Sequence, residues 1–540
     1  MDTSRVARCL REQLCQLVEQ PLVPRQRLLL LESYQPHLLT LTTTLEEGLF
    51  DTSLPLPPAQ AEKALLLVEL CGLMARNYGL LADTWAITPT SADEVLPVLR
   101  HTLDWLARLS LHRAQIYAQP DTDFWRKVHH LYRLIEQYEL LLHPAAAPVH
   151  EPLHVLFLFA ACDPQRFRPR EMHQIDRLLR HFGCHACIRQ QARYRDLRAG
   201  FAFDCQTPAP PRPLRRMPGP PSPHRRFLFV QPVIRQLLDY VKQDTSLGIE
   251  TLPFDQVRRL ALELAHALGA PKQRRWLRRP QHHDCRVIAG LADLTAFLRH
   301  QSGHDLEALL QHPAAPRSEP DPPFALTLAG ISLPADPDDG EGRHSEVDAL
   351  RCLNDDKPRI RAEDIWGAPS QPDAREVTTF SAQMVDVSAR GYRLRWQGPA
   401  CPRLRPGEVL GLLPREGELE VAVIRWLHQS AEHQLTLGVE LLSFSAQLVV
   451  TSRFTPEVNE DGLEPQRHWD ILLPPQPAIG RETCLLAAAR NWRRGQWVEI
   501  HYTRIRKAVC LLHQRLDASP AYDLFSLENV TPDAAADTRQ

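Results

Sequence analysis

The chain has 540 residues, 44% hydrophobic and 24% charged, with Lys+Arg 63 against Asp+Glu 65. That length exceeds what one hydrophobic core organises, so roughly three to four domains are expected, and the near-neutral balance argues against a nucleic-acid or membrane-surface role carried by bulk charge. Nearly all basic side chains are arginine, since Lys63, Lys127, Lys242, Lys272, Lys357 and Lys507 are the only lysines; the bias reads as GC-rich bacterial coding, with arginine-specific recognition as the minor alternative.

The first residues, Met1-Asp2-Thr3-Ser4-Arg5-Val6, are polar and lead into an amphipathic pattern instead of the apolar run of a secretory signal, so no export is expected. From residue 1 to 205, leucine-rich segments recur at helical spacing, as in Val6, Cys9, Leu10, Leu14 and Leu17 and again in Leu65, Leu66, Leu67, Leu70 and Leu73. Pro21 and Pro24, Ser91 before Asp93 and Glu94, and Pro120-Asp121 before Phe124 punctuate these stripes, which predict a helical domain of roughly six to eight antiparallel helices. The most hydrophobic stretch, 153–162, is about half the ~20 residues that a bilayer requires and contains His154, so it predicts a buried helix and no membrane insertion. Twelve cysteines scattered along the chain fit reduced thiols in the cytoplasm, most of them small core residues.

Two motifs in this half invite a metal reading. His150-Glu151-Pro152-Leu153-His154 matches the H-E-x-x-H pattern of zinc proteases, but proline favours the first helical position, so the helix is expected to start at Pro152 and leave His150 outside it. Cys184 and Cys187 stand at zinc-knuckle spacing, with His282, His283 and Cys285 as remote candidates; without a second local pair, buried free cysteines are the better expectation. No metal site and no cofactor are predicted. Neither a G-x-S-x-G elbow, a P-loop nor a dinucleotide fingerprint before a helix is found, so nothing nominates a catalytic residue.

A Pro/Arg-rich stretch at 206–225 reads as a linker. A second helical block is expected over 226–303, containing the cluster Arg274-Arg275-Trp276-Leu277-Arg278-Arg279, which reads as a solvated face ahead of a phosphate grip. A Pro/Asp-rich linker follows over 304–376. From 377 to 450 the period becomes two: Phe380, Ala382 and Met384 share a face, as do Tyr392, Leu394 and Trp396, then Leu419, Val421 and Val423, then Leu435, Leu437, Val439 and Leu441. Short turns space these strands like a small barrel. A further β-rich unit is expected over 451–540. The predicted fold class is therefore α+β and multidomain, a helical N-terminal half joined to a C-terminal antiparallel β-barrel and a further β unit.

The turn between the first two of these strands reads Asp386-Val387-Ser388-Ala389-Arg390-Gly391. A carboxylate can accept two N–H bonds from a guanine edge, a hydroxyl adds a third contact, and glycine removes the Cβ that blocks close approach. Equally, Asp and Ser are common turn residues that bond their own backbone. Over about 377–444, with the later hairpin through Val421, Trp426, Leu437 and Leu441, the sequence resembles the PilZ domain. The resemblance implies a PilZ-like β-barrel that binds cyclic di-GMP through Asp386, Ser388 and Gly391. It also implies an R-x-x-x-R pair ahead of the barrel that clamps phosphates; the part of 304–376 nearest the barrel offers Arg351, Arg359, Arg361 and Arg375 with no two at that spacing, and Arg359 and Arg361 are the expected phosphate contacts. The function expected is a cytoplasmic bacterial regulator that senses cyclic di-GMP and relays it to a protein partner. A nucleotide-independent interaction scaffold is the alternative, followed by an enzyme with its site in the helical half.

Overall fold

The computed structural model describes residues 3–302 and 377–529, apart from 88–90, 141–142, 144–145, 192–199, 218–221, 244, 270–276, 415–417, 431, 433, 455–465 and 504–505. Helices α1 (Thr3–Glu19), α2 (Pro24–Glu47), α3 (Pro58–Ile87), α4 (Ala92–Gln115), α5 (Thr122–Gln137), α6 (Ala147–Ala161) and α7 (Pro169–Phe182) make up the helical N-terminal part. Proline at the first position opens α2, and the Asp121 carboxylate accepts the Phe124 N–H at 2.7 Å to cap α5. Among the described residues α3 is the one helix long and apolar enough to cross a membrane. Its Leu67, Leu70, Met74, Tyr78 and Leu81 are buried in the bundle, packed with residues such as Leu99, Leu103 and Trp105 of α4. Each such leucine contributes about 1.5–3 kcal/mol by leaving water.

The expectation that Pro152 starts its helix is corrected: α6 opens at Ala147, so His150 lies inside it, with Pro148 in the first turn. One backbone hydrogen bond is lost at Pro152, and burial of Val149, Leu153, Leu156 and Phe157 offsets it. The His150 and His154 rings are 5.7 Å apart, but His154 Nδ1 sits 3.0 Å from Gly183 O, and burial holds this imidazole down at about 4. Cys184 is exposed and Cys187 half-buried, against the buried pair expected. Among the described residues no group of three or more His, Cys, Asp or Glu side chains could hold a metal ion.

The described part of the linker expected at 206–225 contributes a strand, and the first residue of another, to a small antiparallel sheet. Strands β1 (Cys187–Arg189), β2 (Phe201–Asp204), β3 (Arg212–Pro213) and β4 (Arg225–Phe229) run in the order β1-β4-β2-β3. Phe203 stacks on Phe157 of α6 with ring centroids 4.3 Å apart, and Arg226 pairs with Glu136 of α5 at 2.6 Å, so the sheet is fastened to the helical core. Composition alone gave the wrong answer here because the Pro/Arg-rich loop is flanked by three buried residues, Phe201, Ala202 and Phe203.

Helices α8 (Gln231–Lys242) and α9 (Phe254–Gly269) follow and pack on α7. The rest of the expected second helical block then departs from expectation, since β5 (Arg279–Ala289) is a strand, with α10 (Leu291–Ser302) behind it. The first half of β5 is solvent-facing and contains Pro280, and only Cys285, Val287, Ile288 and Ala289 are buried, so its alternation is too short to register. Strand β5 closes a six-stranded barrel with β6 (Thr379–Ser388), β7 (Gly391–Trp396), β8 (Val409–Pro414), β9 (Glu420–Gln429) and β10 (Leu435–Ser443), in the ring order β10-β7-β6-β5-β8-β9.

The further β unit is a second closed barrel of β11 (Gln447–Arg453), β12 (Arg467–Leu473), β13 (Cys484–Ala488), β14 (Trp497–His501), β15 (Lys507–Ala518) and β16 (Tyr522–Asn529), in the ring order β11-β12-β13-β16-β15-β14. It begins at β11, ahead of the boundary expected at 450. The two rings have the same connectivity: in each, the first strand pairs with the second and fourth, the third with the second and sixth, and the fifth with the fourth and sixth. An apolar layer joins them, in which Ile288, Val421 and Val423 of the first barrel meet Leu448, Ile471 and Leu486 of the second, with Leu294 and Leu298 of α10 wedged alongside.

Candidate functional site

The end of β6 is where the sequence motif and the barrel wall meet. Pro280 of β5 stands opposite Asp386, Asp386 opposite Arg393 of β7, Arg393 opposite Gly438 of β10, and Gly438 opposite Trp426 of β9. Residues directly opposite in a ladder project to the same face, so these five form one row across five strands. The pairing is irregular between Pro280 and His283 and between Met384 and Asp386, and such bulges re-aim side chains at a barrel rim.

Pro280, Asp386, Arg393 and Trp426 of this row, with Arg278 and Val385, line a cavity of about 390 Å³, within the usual range for a small-molecule site. Asp386 is only 6% exposed and is held by two guanidinium groups, Arg278 Nη1 at 2.8 Å from Oδ1 and Arg393 Nη2 at 2.7 Å from Oδ2. Two cations on one carboxylate leave the cavity net positive, which favours an anionic ligand. Trp426 forms an aromatic wall because Gly438 has no side chain: a Cβ there would overlap the indole Nε1 and lie 2.6 Å from Cζ2. The surface is thus chemically mixed, with cations, one carboxylate able to accept N–H bonds, and a flat ring able to stack.

The expected residues sort differently. Asp386 faces the cavity. Ser388 donates its hydroxyl proton to Gly391 O at 2.9 Å, closing its own turn. Gly391 is required by its strand neighbour, since a Cβ would overlap Val439 O and lie 3.1 Å from Glu440 Cα; the close approach it permits is to β10. Arg359 and Arg361 lie outside the described residues. Of the cluster expected as a solvated face, Leu277 and Arg279 are exposed, whereas Arg278 is bonded to Asp386 from 108 residues away.

Arg278, Arg393 and Trp426 were not legible as site residues. A usable signal was present: Arg274 and Arg278, and likewise Arg275 and Arg279, stand at R-x-x-x-R spacing. That spacing runs into the first residue of β5, about a hundred residues ahead of β6. Arg274 and Arg275 themselves lie outside the described residues.

An enzymatic site in the helical half would need convergent His and carboxylate groups around a cavity. Glu46, Gln115, His112 and His173 do converge, with Glu46 Oε1 2.8 Å from His173 Nδ1 and 2.5 Å from Gln115 Nε2. The void beside Gln115 is only about 10 Å³, room for about one water molecule, so this cluster is a packed polar network.

Comparison with known proteins bears on both halves. Residues 1–192 match the family model described as cyclic-di-GMP receptor FimW, N-terminal domain, and residues 201–447 match the one described as cyclic-di-GMP receptor FimW, middle PilZ domain. The chain is also similar to the cyclic-di-GMP receptor FimW of Pseudomonas aeruginosa, 22% identical over 549 residues that cover 97% of this chain and 88% of that protein.

Proposed function

Residues 201–447 form a PilZ domain, and from that premise we propose that this protein is a regulatory receptor for cyclic di-GMP whose ligand occupies the Asp386 cavity. The observation that carries the reading is the Arg278–Asp386 bond, which joins the second arginine of an R-x-x-x-R sequence to the carboxylate of the D-x-S-x-x-G turn. In the complex, Asp386 accepts the N–H groups of a guanine edge, Arg274 and Arg278 or Arg275 and Arg279 take the phosphates, and the base lies against Trp426. Because Asp386 is already paired in the free protein, binding exchanges partners: Arg278 passes from carboxylate to phosphate while guanine takes its place, so no buried charge is left alone. The role is one of binding in the cytoplasm, with no reaction catalysed, and its product is a signal to a protein partner. Calorimetric titration tests this. Wild-type protein is expected to bind cyclic di-GMP and to discriminate against GMP, and Asp386→Ala or Arg278→Ala to lose about 1–3 kcal/mol, roughly fivefold to 150-fold in affinity. An absence of heat at high micromolar nucleotide would refute the receptor reading, and unaltered affinity in both variants would refute the site.

A further inference from the structure

The second barrel repeats the strand ring of the first but lacks the residues that make the first a nucleotide site. Ahead of its first strand stand Phe444, Ser445 and Ala446, with no arginine, and its second-to-third-strand connection, 474–483, contains no Asp-x-Ser-x-x-Gly. That connection is the topological counterpart of the Asp386 turn, and it folds back onto the first barrel. Arg481 donates to Glu440 Oε1 at 3.1 Å and to Leu442 O at 3.5 Å. The Asp386 turn lies on the same few residues of β10: Gly391 stands opposite Glu440 against the Val439 carbonyl, and Leu441 N–H donates to Arg390 O at 3.0 Å. Equivalent loops of the two barrels therefore grip one four-residue segment, 439–442.

The grip continues into the body of the second barrel. Arg425 of β9 bonds Glu440 at 2.8 Å and also pairs with Asp517 of β15, whose carboxylate accepts the Tyr522 hydroxyl at 2.7 Å. Beside these pairs lies a groove of about 590 Å³ bordered by Arg390, Glu440, Arg481 and Asp517, so the loops have room to shift. Its three arginines face three carboxylates, Glu440, Glu482 and Asp517, which makes a contact between barrels the better reading than an anion site.

We propose that the second barrel is the output module of the receptor, a PilZ-type barrel that binds no nucleotide and reads the Asp386 turn through Glu440, Arg481 and Arg425. The proposal rests on the nucleotide reading above for its input. A ligand that repositions the turn moves 439–442, and the Glu440 pairs pass that change to β15 and the 474–483 loop. By thermodynamic reciprocity, loosening the second barrel's grip must also alter ligand affinity.

Hydrogen–deuterium exchange on the full chain, followed by mass spectrometry, tests the coupling in both directions. In the ligand-free protein, Arg481→Ala is expected to speed amide exchange of 388–391 and 441 about fivefold to 150-fold, the range typical of coupled sites, whereas Arg453→Ala, at an exposed strand end, leaves it unchanged. With cyclic di-GMP, wild-type protein is expected to change exchange in 477–483 and 513–519, and Arg481→Ala to bind more weakly. Glu440→Gln, which keeps the side-chain shape, serves if Arg481→Ala does not fold. Unchanged exchange at the turn in either folded variant overturns the proposal, as does unchanged affinity. If wild-type protein binds no cyclic di-GMP, the receptor reading fails, and the ligand-free comparison alone still decides whether the barrels are coupled.

Discussion

Two glycines of the first barrel offer a controlled test of which contacts are scaffold and which are site. Gly391→Ala places a methyl group against backbone, overlapping Val439 O and only 3.0 Å from Val439 C and 3.1 Å from Glu440 Cα. None of these three atoms can move without opening the β7–β10 ladder, where Gly391 and Glu440 are paired. Overpacking of about 1–3 kcal/mol and one or two ladder hydrogen bonds at about 1 kcal/mol each add to roughly 2–5 kcal/mol. For a unit of 150–250 residues that lowers Tm by about 4–20 °C. Gly438→Ala has its nearest overlaps with the Trp426 indole, a half-buried side chain at the cavity instead of backbone. It is expected to cost no more than about 1 kcal/mol of stability while removing the aromatic wall, which is worth about 1–3 kcal/mol per stacked base. Thermal melts and nucleotide titrations on both variants decide the matter. Comparable melting temperatures for the two, or wild-type affinity in Gly438→Ala, would show that the geometry around Gly391 or Trp426 has been misread.

Arg274→Ala and Arg278→Ala should both weaken cyclic di-GMP binding and flatten its dependence on salt, because the charge contact is the screened part; titrations at low and high ionic strength check this. The His173 imidazole is held above its ordinary 6.5 by its hydrogen bond to Glu46, whose carboxyl is held below 4.5 with His173 its leading partner. A raised histidine stabilises fully below 6.5 and loses that as pH rises through its folded value, and a lowered carboxylate stabilises above 4.5, so their pair contributes most at about pH 5–6. His173→Gln should therefore destabilise more at pH 5.5 than at pH 8 in urea titrations, and the reverse order would refute the pairing. Cys285 in β5 is buried and its thiol is pushed up to about 12 by burial, whereas Cys9, Cys15 and Cys184 are exposed. Peptide mapping after alkylation at pH 8 should find Cys285 unlabelled until denaturant opens the first barrel, since the thiolate is the reactive form.

The helical half and the two β units were visible in the sequence because each has a strong local period. Leu66, Leu67, Leu70 and Met74 repeat at helical spacing on α3, and Tyr392, Leu394 and Trp396 alternate on β7. Asp386 was visible for the same reason, since its turn lies between two strands whose alternation needs no distant partner to be seen. Arg278 was not, because what makes it a site residue is a partner 108 positions away, and the strand that carries it there is polar along its first half. The Pro/Arg-rich stretch at 206–225 failed in the opposite direction: its composition is that of a free linker, and the packing of Phe203 against α5 and α6, with the Arg226–Glu136 pair, shows that the sheet around it is tied down. Closure of the second barrel was likewise illegible, since β11 and β14 pair across the intervening β12 and β13.

The separation of the two motif halves follows from how a closed barrel is held. Strand β5 is bonded on one side to β6 and on the other to β8, and these ladders hold it whatever the length of chain that leads from its end to the next strand. The cost of a long connection grows only with the logarithm of its length, so about ninety residues between Ala289 and Thr379 cost roughly 2 kcal/mol more than ten would. The eight registered partners of β5 and β6 outweigh that. An insertion there is consequently cheap for the fold, and because it joins the ends of β5 and β6 remote from Arg278 and Asp386, it leaves the cavity's geometry intact. The site is a property of the closed ring: with β5 unpaired, Asp386 keeps Arg393 but loses Arg278, and the positive cavity opens on one side. Nucleotide binding should therefore stabilise the β5–β6 seam more than any other part of the first barrel.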